Sequence, residues 1–231
     1  MIEGPEWWYD EMRQIGTDFE DAEQVAAYES KQGTSPERER ALVDRLGIGL
    51  GDVVVEFGCG TGEFAVQAAL AGARVRACDV SPAMLDSARA KARSAGVEIT
   101  FHQAGFLSYE HAGDDADFVV TKAALHHLPD FWKQVALLRV RDMLRRDGTL
   151  YVWDVAFSFP AREYREGIET WIERLSGSAG ETWAREDFER HVREEYSTYW
   201  WVMEGMLERA SFCVETHCLT DAYAEFIARA S

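Results

Sequence analysis

Three groups of residues in this chain have types and spacing suited to chemistry. The first is Glu56-Phe57-Gly58-Cys59-Gly60-Thr61-Gly62. Closely spaced glycines let a backbone turn sharply and approach a ligand. A helix opening directly after them would present unpaired N–H groups to anionic groups. The spacing is G-x-G-x-G, with an acid two residues before the first glycine. A dinucleotide fingerprint needs G-x-G-x-x-G, and here Glu63 stands where its third glycine belongs. The second is Asp79, nineteen residues after Gly60. A carboxylate at the end of the next strand can accept hydrogen bonds from both hydroxyls of a ribose; capping the helix that opens at Ser81-Pro82 is the competing role. The third is His126-His127 with Asp154 further on. An imidazole beside a reacting centre can serve as a base, and Asp154 could orient an acceptor hydroxyl or amine or simply close a turn.

The elements that must position these residues follow from periodicity and punctuation. Val53–Phe57 is a short apolar run, the pattern of a strand buried on both faces. Residues 62–71 read as a helix and Arg74–Cys78 as a second strand. Ser81-Pro82 opens a helix that Gly96 stops. Strands follow at Glu98–Ala104 and Asp117–Thr121, a helix at Phe131–Leu144, and a fifth strand at Gly148–Asp154. Strands alternating with helices predict a doubly wound, mostly parallel α/β sheet. Upstream, residues 18–31 have helical spacing, and Ser35-Pro36 opens a helix over 36–46. Residues 160–210 read as mostly helical, an insertion or lid over the sheet edge. Phe212–Leu219 and Tyr223–Ala228 then read as two strands joined by Thr220-Asp221. We expect one domain: helical cover over 1–45, a core over 46–157, a helical insertion over 158–205 and C-terminal strands over 206–231.

Four motifs in order resemble the class I S-adenosylmethionine-dependent methyltransferases of the small-molecule type. They are Val-Val-Val-Glu-Phe-Gly-Cys-Gly-Thr-Gly at 53–62, Cys-Asp-Val-Ser-Pro-Ala-Met-Leu at 78–85, Asp-Phe-Val-Val-Thr-Lys-Ala-Ala-Leu-His-His-Leu-Pro-Asp at 117–130, and Leu-Arg-Arg-Asp-Gly-Thr-Leu at 144–150. The resemblance implies a three-layer sandwich around a seven-stranded sheet whose last strand is antiparallel. It implies that Glu56, Gly58, Cys59, Gly60 and Gly62 hold the methionine part of the cofactor. Asp79 takes the ribose, and Val80 and Met84 flank the adenine. Thr121 and Ala123 lie where the sulfonium methyl is exposed, with Lys122 an odd neighbour for a cation. Many relatives carry an acid for the adenine amine after the third strand. This chain has Gly105 there, followed by Phe106, which leaves the adenine to backbone groups and to Phe106. His127, His126 and Asp154 are the catalytic candidates, His127 foremost.

Composition narrows the acceptor. The 231 residues carry 24 lysines and arginines against 41 aspartates and glutamates, a net charge of −17. That charge opposes phosphate backbones and anionic membranes. No Asn/Asp-Pro-Pro-Tyr/Phe motif is present, which argues against RNA amines. Eight tryptophans is a high count and several must be core; Trp7-Trp8-Tyr9 and Tyr199–Trp201 could wall a small, apolar or aromatic acceptor, or equally pack lid to core or form a dimer contact. His191, Glu194, Glu195 and Tyr196 read as a solvated helix face. Four cysteines without metal spacing, no signal peptide and no apolar span point to a cytoplasmic protein without a metal. It would be a monomer or homodimer. An RNA or protein methyltransferase and a non-catalytic cofactor-binding subunit are the alternatives. A nicotinamide oxidoreductase is disfavoured by the glycine spacing and the lack of a Tyr-x-x-x-Lys pair.

Overall fold

The structure, a computed structural model, describes residues 5–13, 34–178 and 184–231. The helical spacing read over 18–31, with Tyr28, lies outside the described residues. Helix α1 (Pro36–Leu46) starts where Ser35 accepts the Arg38 N–H and Pro36 fixes the first turn, and stops at left-handed Gly47. Strand β1 (Val53–Phe57) is buried throughout. Helix α2 (Glu63–Leu70), β2 (Arg74–Asp79), α3 (Pro82–Ala95), β3 (Ile99–Gln103) and β4 (Ala116–Lys122) follow. Ser81 caps α3 by accepting the Met84 N–H, and Gly96 closes it. A short 3-10 turn, Leu125–His127, leads into α4 (Asp130–Met143) and β5 (Leu144–Phe157).

The sheet order is β3-β2-β1-β4-β5, then β8 (Tyr223–Ala230) and β7 (Phe212–Cys218) at the far edge. Every pair from β3 to β5 is parallel. Strand β8 runs antiparallel between β5 and β7. One apolar core lies on the face covered by α4, the other on the face covered by α1, α2 and α3. The expected three-layer, mostly parallel seven-strand sheet is therefore present.

The insertion differs in detail from a uniform helical lid. It holds α5 (Tyr164–Ser178) and α6 (Arg185–Glu194), a two-residue strand β6 (Thr198–Tyr199) pairing with the end of β5, and α7 (Trp200–Arg209). Helix α7 contributes Met203, Met206 and Leu207 to the core beside α4, so it is a layer helix rather than cover. The β5 strand begins four residues earlier than periodicity suggested, because Leu144 already pairs with Ala116 before a register shift. Trp171 of α5, with Val155 and Phe157, makes a third, smaller core at the rim.

Gly62 shows how tightly the glycine loop is packed. It sits at φ +81°, and a Cβ there would lie 2.8 Å from Ala88 Cβ and 3.2 Å from Ala88 Cα of α3. Gly62→Ala combines backbone strain with overpacking and should cost about 2–3 kcal/mol. Urea denaturation checks this; a variant as stable as the parent would refute the packing argument.

Candidate functional site

The strand order reverses between β1 and β4, and the crevice at such a switch point, at the carboxyl ends of the strands, is where ligands bind in open α/β sheets. Two cavities open there and share Gly58, Gly60 and Ala123 as a common wall. The larger, about 340 Å³, is lined by Glu56, Cys59, Thr61, Lys122, Trp153 and parts of α1. The smaller, about 110 Å³, is lined by Asp79, Val80, Met84, Gly105, Phe106 and His127, and by Tyr9, Glu11 and Arg13 of the N-terminal segment.

The loop geometry has local causes. Gly58 is left-handed and lies so close to Ala124 that a Cβ would overlap it. Asp79 accepts the Gly60 N–H at 2.8 Å and the Ser81 N–H at 2.9 Å, so one carboxylate fixes both the glycine loop and the start of α3. Burial raises its pKa and those N–H bonds oppose the rise. Glu56 is buried, and burial pushes its carboxyl up to about 8. Its Oε2 has no hydrogen-bond partner. Such an atom on a cavity wall is a standing demand for a donor. Ala123 adopts φ +50°, which an L side chain seldom does, and turns the chain out of β4 between the two cavities.

Beside the smaller cavity runs a chain of charged groups. His126 is buried between two carboxylates: Nδ1 contacts Asp154, and Nε2 lies 3.1 Å from Glu195. Both ring nitrogens donate, and the two carboxylates hold the imidazole up at about 10 despite its burial. Glu195, held well below the usual carboxylate range by His126 and His191, also pairs with His191 Nδ1. His127 is the opposite case: burial and the His126 charge lower it to about 3, so its ring is neutral.

Several expected site residues therefore stand elsewhere. His126 has no free lone pair and is not a base; it ties the β4 turn to the insertion. Asp154 does not face an acceptor, because its oxygens accept the Leu125, His126 and Val155 N–H groups as well as the His126 ring. Gly62 serves the packing of α3, not a cavity wall, and Thr121 is buried with its hydroxyl unpaired and lines neither cavity. The Phe106 ring is stacked on Phe57 at 4.7 Å, so it serves the core more than a ligand. Lys122 is neutralised by Glu39 of α1. Trp7, Trp8 and Tyr9 pack on Trp132 of α4 rather than walling the larger cavity. Glu195, read as part of a solvated face, is buried in the ion chain. Its sequence neighbours carry no signal of that. Neither does Glu11, whose carboxylate reaches the cavity from the N-terminal segment. His126, His127 and Glu195 also bring three ligand atoms within 4.8 Å of one another. A cation there would have to displace a proton from doubly bonded His126.

Residues 54–148 match a family described as a methyltransferase domain. This segment, less than half of the chain, is a methyltransferase domain. It is 29% identical over 171 residues to an uncharacterized methyltransferase of Bacillus pumilus, covering 74% of each chain. It is 31% identical over 117 residues to the methyltransferase GfsG of Streptomyces halstedii, covering 49% of this chain and 41% of that one. A Mycobacterium tuberculosis relative is 33% identical, but over 88 residues that span only 32% of its length. Among solved structures, magnesium protoporphyrin IX methyltransferase from Synechocystis with bound S-adenosylmethionine has a TM-score of 0.60 at 18% identity, covering 96% of this chain and 88% of that one. Phosphoethanolamine N-methyltransferase 2 of Haemonchus contortus has a TM-score of 0.67 at 17% identity, covering 91% and 57%. These two likenesses concern the fold.

The ion chain of the methyltransferase makes its stability depend on pH. Folding raises the His126 pKa above its ordinary 6.5, so its contribution is complete below pH 6.5 and fades as pH rises through about 10. Glu195 and Asp154 are lowered, so their contributions are present above their ordinary values and fade in acid. Glu195→Gln leaves a buried imidazolium short of one counter-charge and should cost about 3 kcal/mol near pH 6. The gap to the parent should shrink towards pH 10. A gap that stays constant from pH 6 to pH 10 in urea titrations would contradict an ionised His126.

Proposed function

We propose that this methyltransferase acts on a small, partly apolar molecule, with the cofactor lying across the two cavities and the acceptor entering the larger one. The carrying observation is their shared wall of Gly58, Gly60 and Ala123. A ligand filling both must pass over that wall. The residues present fit the cofactor. Glu56 offers its unpaired buried oxygen to an ammonium group, and Gly58, Cys59 and Gly60 bring backbone close to it. Asp79 has lone pairs to spare for two hydroxyls, and Val80 and Met84 are apolar walls for a planar ring. S-adenosylmethionine supplies, when bound, a methyl group already activated on sulfur for in-line displacement.

The protein's part is then alignment and exclusion of water. Leu42, Tyr151, Trp153 and Leu219 give the acceptor chamber apolar and aromatic walls, with Trp153 stacked on Tyr223 at 5.1 Å. His127 touches the cofactor side as a neutral ring. It is a contact and not the proton acceptor, since a group at about 3 is a weak base at neutral pH. A net charge of −17 supports a small molecule over RNA. Among the described residues no helix is long and apolar enough to cross a membrane. The four cysteines are free, which supports a cytoplasmic setting.

The purified chain, given labelled S-adenosylmethionine, should methylate members of a panel of small aromatic and apolar amines, phenols and carboxylic acids, and neither tRNA nor bulk protein. Asp79→Asn should weaken cofactor binding about 10- to 100-fold, the loss expected for hydrogen bonds to a charged group. His127→Ala should lower turnover without removing any inflection between pH 6 and 8. Labelling of tRNA alone, or unchanged affinity in Asp79→Asn, would overturn the assignment.

A further inference from the structure

The N-terminal segment delivers a carboxylate into the smaller cavity. Glu11 Oε1 accepts the Leu107 N–H at 3.0 Å and the Ser108 N–H at 2.6 Å, and Oε2 accepts the Leu107 N–H at 2.9 Å. Three features show that this place is built for it. Gly105 has no side chain, and a Cβ there would overlap the Glu11 carboxylate. The Gly105 backbone is not left-handed, so the glycine answers to space and not to φ. Tyr9, two residues upstream, donates to the His127 carbonyl at 3.0 Å, and Trp7 and Trp8 pack on Trp132, so the segment is anchored on the turn after β4 and on α4.

The cavity is thus an apolar slot, walled by Val80, Met84 and Ala104, with two carboxylates on its lining, Asp79 and Glu11. An ionised carboxylate only accepts hydrogen bonds. Asp79 suits hydroxyls, so Glu11 calls for a second donor on the same ligand. We propose that Glu11 selects the adenine ring of the cofactor, its carboxylate accepting a hydrogen bond from the exocyclic amine, and that segment 5–13 is thereby part of the binding site. This rests on the reading that the crevice binds S-adenosylmethionine. A chain without an acid at position 105 supplies one from a segment nearly a hundred residues away in sequence.

Calorimetric titration with S-adenosylhomocysteine and with its 6-oxo analogue, S-inosylhomocysteine, tests the assignment. The 6-oxo group offers an acceptor where the amine offers a donor. The parent should prefer the adenine compound by tenfold or more, since a site built to pair a donor rejects the analogue that lacks it. Glu11→Ala should bring the ratio close to one, chiefly by weakening the adenine compound. Glu11→Ala combined with Gly105→Asp should restore the preference, because the new carboxylate grows into the vacated space. Equal weakening of both compounds in Glu11→Ala would reduce Glu11 to a loop fastener and overturn the proposal. Tighter binding of both would overturn it too, showing that the carboxylate blocks the slot. If the parent binds neither compound, the reading of the crevice itself falls; if it binds both equally, only the role of Glu11 falls.

Discussion

The loops at the carboxyl ends of the strands must leave a crevice and still satisfy their backbone N–H groups. Three buried or half-buried carboxylates meet that demand. Asp79 accepts N–H groups from the glycine loop and from the start of α3. Asp154 accepts them from the turn after β4 and from its own neighbour in β5. Glu11 accepts them from the loop after β3. In each case a charge-assisted hydrogen bond replaces a ladder bond that the crevice cannot supply. Without them, the loops that wall both cavities would lose their fixed shape.

The same carboxylates also connect the crevice to its surroundings. Asp154 pairs with His126, His126 with Glu195, and Glu195 with His191, whose ring shares a hydrogen bond with Ser197 at 2.7 Å. The insertion is thereby tied to the turn that carries His127. A buried imidazolium with two counter-charges gives that turn one arrangement, because losing either partner leaves an uncompensated charge. His127 stays neutral because burial disfavours its charged form, and the charge on adjacent His126 adds to that. The N-terminal segment lines the smaller cavity through Tyr9, Glu11 and Arg13, and its aromatic residues rest on Trp132 of α4.

The elements legible in the sequence are those whose cause is local. The five apolar residues of β1, the Ser-Pro openings of α1 and α3, the closing glycines and the glycine loop each carry their reason within a few residues. Their alternation carries the doubly wound, mostly parallel class of the sheet, and its strand order comes from the structure. That Asp79, Val80, Met84 and the loop glycines 58 and 60 line the crevice was legible too, because position at the carboxyl end of a strand determines it. What could not be read depends on distant partners. His126 and His127 are identical as letters, and only Asp154 and Glu195 decide which one is charged. Gly62 looks like a ligand glycine until Ala88 packs against it. Glu195 stands in a stretch whose composition suggests solvent, and Glu11 follows an aromatic stretch whose letters do not show the distant loop it binds. Lys122 is no misfit beside a cation, because Glu39, from distant α1, neutralises it.

The central claim is that the crevice between β1 and β4, closed by the N-terminal segment, is where S-adenosylmethionine binds. Hydrogen exchange with and without S-adenosylhomocysteine tests it directly. The account predicts slowed exchange in residues 58–62, 79–84, 104–108 and 5–13 together, with no change in β7 at the far edge of the sheet. Slowed exchange confined to other surfaces, or none in the glycine loop at saturating ligand, would contradict it.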